Sequence, residues 1–109
     1  MALAVKVEQG TKQLQGVFKE LWAVTLTGLD FANAATGSGT FASIDVTVPG
    51  VALGDIVIGV SVGVDTIDAV IGGEVTANNI VSLTLLNNTA GAVDLVATSG
   101  KLLVGRPAW

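Results

Sequence analysis

Cysteine, histidine and tyrosine are all missing from these 109 residues. Without cysteine there is no disulfide framework and no thiolate chemistry, and the redox compartment leaves no mark. Without histidine or tyrosine, the usual general acids and bases shrink to carboxylates and lysine. A Ser–His–Asp or Cys–His nucleophilic arrangement has no parts to build from. The commonest zinc sites, which use imidazole or thiolate, are excluded with them. Positive charge is scarce too: five Lys and Arg residues stand against nine Asp and Glu, for a net charge of −4. Nucleic-acid binding needs a cationic footprint for phosphates, so this balance argues against it. No apolar run approaches the ~20 residues a membrane helix needs. Met1-Ala2-Leu3-Ala4-Val5 has no basic n-region and meets Lys6 and Glu8 at once, which argues against a signal peptide.

What is present is apolar and glycine-rich. Half the residues are hydrophobic, 13% are charged and 14 are glycine. So little charge argues against disorder, and it leaves apolar surface that a tight fold or a partner has to cover. The length suits one domain with one core. Charge is divided unevenly. Residues 1–20 hold Lys6, Lys12 and Lys19 against Glu8 and Glu20, a net of +1. The remainder holds Lys101 and Arg106 against seven acids, a net of −5. With the Gln-rich stretch from Gln9 to Gly16, which is poor in core formers, this division predicts an arm over 1–21 and a globular body over 22–109. Within the arm, Leu14, Val17, Phe18, Leu21 and Trp22 have the spacing of an amphipathic helix, with Thr11 as a candidate N-cap. Gly16 interrupts that stripe, and Val17, Lys19, Leu21 and Ala23 also alternate as a strand would. Both readings stay open, with extended chain preferred.

The body reads as a series of short strands. From Ser43 to Val48 the period is 2, with Ile44, Val46 and Val48 inward and Ser43, Asp45 and Thr47 toward water. Pro49-Gly50 ends that strand. Asp55 to about Val62 is the next, apolar on both faces up to Gly59, which predicts a central position. Gly72-Gly73 predicts a bulge or bend before Glu74-Val75-Thr76-Ala77. Asn78-Asn79 suits a tight hairpin because Asn tolerates positive φ. Val81, Leu83 and Leu85 then point inward against Ser82 and Thr84. A loop over Asn87 to Gly91 precedes a last strand from Lys101 to Gly105, stopped by Pro107. With Trp22 to Thr27 the count is six or seven strands at sandwich spacing. Phe31, Phe41 and Trp22 are core candidates. Trp109 either folds back onto its own body or anchors in a neighbouring subunit.

Carboxylates are the only acid–base groups in any number. Asp65 and Asp68, with Glu74 downstream, could flank a sugar as glycosidase acids do, or give hard oxygens to calcium. Solvated loop acids account for them more simply, because aromatic platforms for sugars are few and the spacing lacks that of a dedicated calcium loop. Thr36-Gly37-Ser38-Gly39-Thr40 lacks the third glycine and the lysine of a phosphate loop and leads into a strand. Asn87-Asn88-Thr89 matches the glycosylation sequon and reads as loop grammar. Asp55 after Gly54 predicts a turn fixed through its own backbone. The balance is a protein with no enzymatic activity, no metal and no cofactor.

The ordered set Leu29-Asp30-Phe31, Val46-Thr47-Val48-Pro49-Gly50, Gly54-Asp55, Thr76-Ala77-Asn78-Asn79 and Val81-x-Leu83-x-Leu85-x-Asn87-x-Thr89 resembles a small β-sandwich domain recurring in virion structural proteins of tailed bacteriophages. When that domain fills nearly a whole short chain, it resembles the capsid decoration, or cement, proteins. The resemblance covers roughly Trp22 onward. It implies an all-β, antiparallel, jelly-roll-like sandwich with an N-terminal arm. It also implies a homotrimer that binds the major capsid protein on the outside of the phage head, after assembly in the host cytoplasm. Lys6, Lys12, Phe18, Lys19 and Trp109 are then the expected capsid or subunit contacts. The alternative is a receptor- or carbohydrate-binding module of a tail fibre or spike, where the same domain type occurs.

Overall fold

The computed structural model describes residues 4–9, 17–31, 40–66, 69–89, 91 and 96–109, with backbone alone for 4–9 and Thr40. Among the described residues seven strands are formed: β1 (Ala4–Gln9), β2 (Phe18–Leu29), β3 (Thr40–Thr47), β4 (Ile56–Val62), β5 (Val70–Ala77), β6 (Ile80–Asn87) and β7 (Thr98–Pro107). They make a four-stranded sheet in the order β1-β2-β7-β4 and a three-stranded sheet in the order β3-β6-β5. Every pairing is antiparallel. The all-β sandwich expected from the strand spacing is what forms.

The pairing is nested: β2 pairs with β7 and β3 with β6, while β4 and β5 meet across the sandwich edge. A long hairpin rolled into two sheets has this order, which is the jelly-roll logic. Alternation decides which side chains enter. Trp22, Val24 and Leu26 of β2 lie in register with Val104, Leu102 and Gly100 of β7, and Val57, Val60 and Val62 of β4 complete the rows. From the other sheet come Val81, Leu83 and Leu85 of β6, with Ala42 and Val46 of β3. The predicted inward sets of β3 and β6 are correct. Phe31, Val48 and Val51 close the core at its ends.

Four expectations are corrected. Strand β4 is an edge strand, paired only with β7, so Ile56 and Ile58 are exposed and its double-sided apolar character does not mean a central place. Phe41 is not a core residue: it is 65% exposed, because period 2 places it on the same side as Ser43 and Asp45. Gly72-Gly73 is regular strand, in register with Thr84 and Leu83, and the irregularity falls between Val75 and Ala77. Gly73 is there for space, since a Cβ would lie 3.0 Å from the Leu83 side chain. The last strand is longer than Lys101–Gly105, running from Thr98 to Pro107.

At the N-terminal side, Ala4–Gln9 is the outer strand of the larger sheet, in register from Ala4↔Thr27 to Gln9↔Trp22. Strand β2 starts at Phe18, so Phe18, Leu21 and Trp22 are extended chain rather than helix. Thr11 and Leu14 lie outside the described residues.

Core and surface apolar residues should separate cleanly in unfolding experiments. Leu83→Ala, at a fully buried centre of β6, is expected to cost about 3 kcal/mol. Phe41→Ala, on the outer face of β3, should stay within about 0.5 kcal/mol. Urea titrations of the two variants measure both.

Candidate functional site

Two turns and one arginine form a polar cluster at one end of the sandwich. Val48-Pro49-Gly50-Val51 is a turn closed by Val51 N–H to Val48 O at 3.4 Å, with Gly50 at φ 101°. Ala52-Leu53-Gly54-Asp55 is a second, closed at 3.0 Å, with Gly54 at φ 97°. Pro before a residue of positive φ is type II turn chemistry, and glycine takes that φ without penalty. The Asn78-Asn79 hairpin docks onto these turns. Asn79, at φ 68°, accepts from the Gly50 N–H through Oδ1 at 2.8 Å. Its backbone donates to Val51 O and accepts from Val48 N–H, both at 2.8 Å.

Asp55 and Arg106 lock the cluster. Asp55 Oδ2 accepts from the Ala52 N–H at 2.8 Å, the turn-fixing role expected from the sequence. Arg106 then grips the same carboxylate with two bonds, Nε to Oδ1 at 3.0 Å and Nη2 to Oδ2 at 2.9 Å. Nη2 also donates to Gly50 O at 2.9 Å, and Nη1 lies 3.5 Å from Glu20 Oε2. Beneath it, the guanidinium carbon sits 5.1 Å from the centroid of the buried Trp22 ring, within cation–π range. The Asp55 side chain is only 4% exposed and Arg106 32%. The bonds to Asp55 raise the Arg106 pKa above its ordinary value. Desolvation opposes the shift, and the charges of Asp55 and Glu20 add to it. The bonds made by Asp55, by Arg106 and by the Asn79 amide oxygen all run within the protein itself, so the cluster is a clasp. Sequence reasoning missed Arg106, although it is the chain's single arginine.

The surfaces left for other molecules are the outer faces of the two sheets. On the four-stranded sheet, Gly105 lacks a side chain and the ring of Phe18 fills its place: a Cβ there would lie 2.6 Å from Phe18 Cδ1 and 3.0 Å from Ile58 Cδ1. Trp109 tilts at 50° against Phe18 with centroids 6.1 Å apart, yet remains 79% exposed. Beside them an open groove of about 500 Å³ is lined by Ala23, Ile58, Gly59, Leu103 and Lys101. On the three-stranded sheet, Phe41, Leu86 and Val70 stand in one cross-strand row, all three exposed.

The structure thus brings together two of the five contact residues expected from the sequence. Phe18 and Trp109 touch each other, so Trp109 folds back onto its own chain while keeping most of its surface free. Lys19 is exposed on β2. The register puts Lys6 opposite Thr25. Lys12 lies outside the described residues, as do Asp68 and the loop from Thr36 to Gly39. Asp65 is exposed and Glu74 sits on the outer face of β5; among the described residues no group of three acids is placed to hold a metal. Asn87 is fully buried, with Oδ1 accepting from the Thr89 N–H at 2.9 Å and Nδ2 donating to Gly91 O at 2.8 Å. Its amide is a loop fastener rather than an acceptor for a glycan. Compared with protein-family models, curated proteins and solved structures, the chain matches none.

Removing half of the clasp should hurt more than weakening it. Asp55→Ala leaves a partly buried guanidinium and the Ala52 N–H without their acceptor, at an expected cost of about 3 kcal/mol. Arg106→Lys keeps the charge but loses the planar fork, at about 1–2 kcal/mol. Thermal unfolding of both variants checks the order.

Proposed function

We propose that this chain is a bacteriophage capsid decoration protein, acting as a homotrimer that grips the major capsid protein from outside the head. The observation that carries the reading is the apolar exposure on both outer faces: Ile56, Ile58 and Trp109 beside the half-buried Phe18 on one, Phe41, Val70 and Leu86 on the other. Exposed apolar groups this extensive on a small β-sandwich fit a protein that works by contact. The sandwich fold is the one implied by the motif resemblance. The motifs themselves are consumed by the turns and the clasp, which leaves the faces as working surface.

The mechanism is linkage. A protein that binds the assembled lattice, but not separated capsomers, stabilises the lattice by the free energy of its own binding. Contacts to several capsid subunits per trimer, repeated over the head, multiply that effect. No bond is made or broken.

Phage heads of the virus encoding this sequence provide the test. Electron microscopy should show copies spread over the outer surface of the head, and heads supplied with the protein should survive heating that bursts bare ones. Trp109→Ala should weaken head binding by at least about tenfold, as loss of an aromatic anchor does. Copies confined to the tail tip would replace this function with receptor or carbohydrate binding, and absence from the particle would end both.

A further inference from the structure

The two outer faces carry matching patterns of opposite charge. On the three-stranded sheet, the apolar row Phe41–Leu86–Val70 is followed by Ser43–Thr84–Gly72 and then by Asp45–Ser82–Glu74. On the four-stranded sheet, the row Leu21–Gly105–Ile56, covered by Phe18, is followed by Ala23–Leu103–Gly59 and then by Thr25–Lys101–Ser61. The β1 register adds Lys6 to that last row, opposite Thr25, and Glu8 to the middle row, opposite Ala23. Asp45, Glu74 and Lys101 are exposed. In both faces the charged row lies four residues beyond the apolar one, from Leu86 to Ser82 and from Gly105 to Lys101. That is about 13 Å along a strand.

We propose that the outer face of the four-stranded sheet of one copy docks on the outer face of the three-stranded sheet of another. Laid in this way, Phe18, Ile58 and Trp109 meet Phe41, Leu86 and Val70, while Lys101 and the Lys6 position meet Asp45 and Glu74. The floor between those rows on the acidic face is a depression of about 320 Å³ over Gly72, Gly73 and Thr84, with room for a neighbour's side chains. Docking two copies through the same acidic face in opposite strand directions sets carboxylates over the apolar row. Docking them in the same direction sets carboxylate on carboxylate. The mixed contact alone satisfies both rows, and it is heterologous, so successive copies either close a ring or extend. This deepens the self-association named in the proposed function and rests on that part of it, not on the capsid.

Sedimentation velocity on the purified protein, without phage heads, tests it. The wild type should sediment as an oligomer. Lys101→Glu puts like charges across the contact, as does the double variant Asp45→Lys, Glu74→Lys. Each alone should raise the dissociation concentration by at least about tenfold. In an equal mixture every contact between one variant and the other has opposite charges, so the mixture should form larger species than either component; a three-membered ring would still keep one contact between two copies of the same variant. All three substitutions are at exposed positions, and matching circular dichroism and melting curves confirm that the variants fold. A monomeric wild type, or a mixture no larger than its separate components, overturns the contact. Neither outcome bears on whether the protein sits on a head, which the particle experiments decide.

Discussion

The Asp55–Arg106 ion pair holds the architecture at the end where three separate pieces of chain converge. Two tight turns follow β3, the β5–β6 hairpin lies against them, and the C-terminal end of β7 passes over Trp22. The carboxylate gathers the second turn by accepting from Ala52. The guanidinium then joins that turn to the first, through Gly50 O, and to β7, on which it is carried. Its flat face also roofs the indole of Trp22, so the largest core side chain ends against a cation rather than water. A two-pronged pair with one partner nearly buried is geometrically demanding, and that demand is what makes it specific.

How much of this was legible depends on how local the cause is. The inward alternation of β3 and β6 could be read directly, because a half-buried strand writes its burial into every second residue. The turns were legible for the same reason: Pro49-Gly50 and Asn79 answer to backbone sterics within four residues. Strand β4 was misplaced because an apolar two-sided strand signals cover on both faces, and the sequence does not say whether that cover is a sheet, a neighbour or nothing. Phe41 was misjudged by its chemistry although its parity with Ser43 and Asp45 pointed outward. Arg106 was missed because its partners lie about fifty residues away in sequence (Asp55 and Gly50), and a single arginine before a proline has no local pattern. Gly105 had no visible motive until Phe18 was found occupying the space where its side chain would be.

The outer surfaces show why composition and function belong together here. With so few charges, the molecule cannot cover both sheets with solvated side chains, and it does not try. Polar capacity is concentrated instead in the clasp and in Asn87, where it fixes loops, while the sheet faces are left to short hydroxyl side chains, glycine and large apolar groups. A surface built so has good contact potential. Lys101, Asp45 and Glu74 then serve as the marks that tell one face from the other.

The nested strand pairing has a consequence for biosynthesis. Among these strands β7 leaves the ribosome last, yet it lies between β2 and β4 and supplies both with their backbone partners. Until it emerges, the larger layer has a missing centre: β2 has β1 on one side alone, and β4 has no partner in its sheet. The β1–β2 pair and the three-stranded β3-β6-β5 sheet can form earlier, but the two halves of the larger sheet cannot join. Closure of the larger sheet therefore waits for β7, which hides what the earlier strands expose.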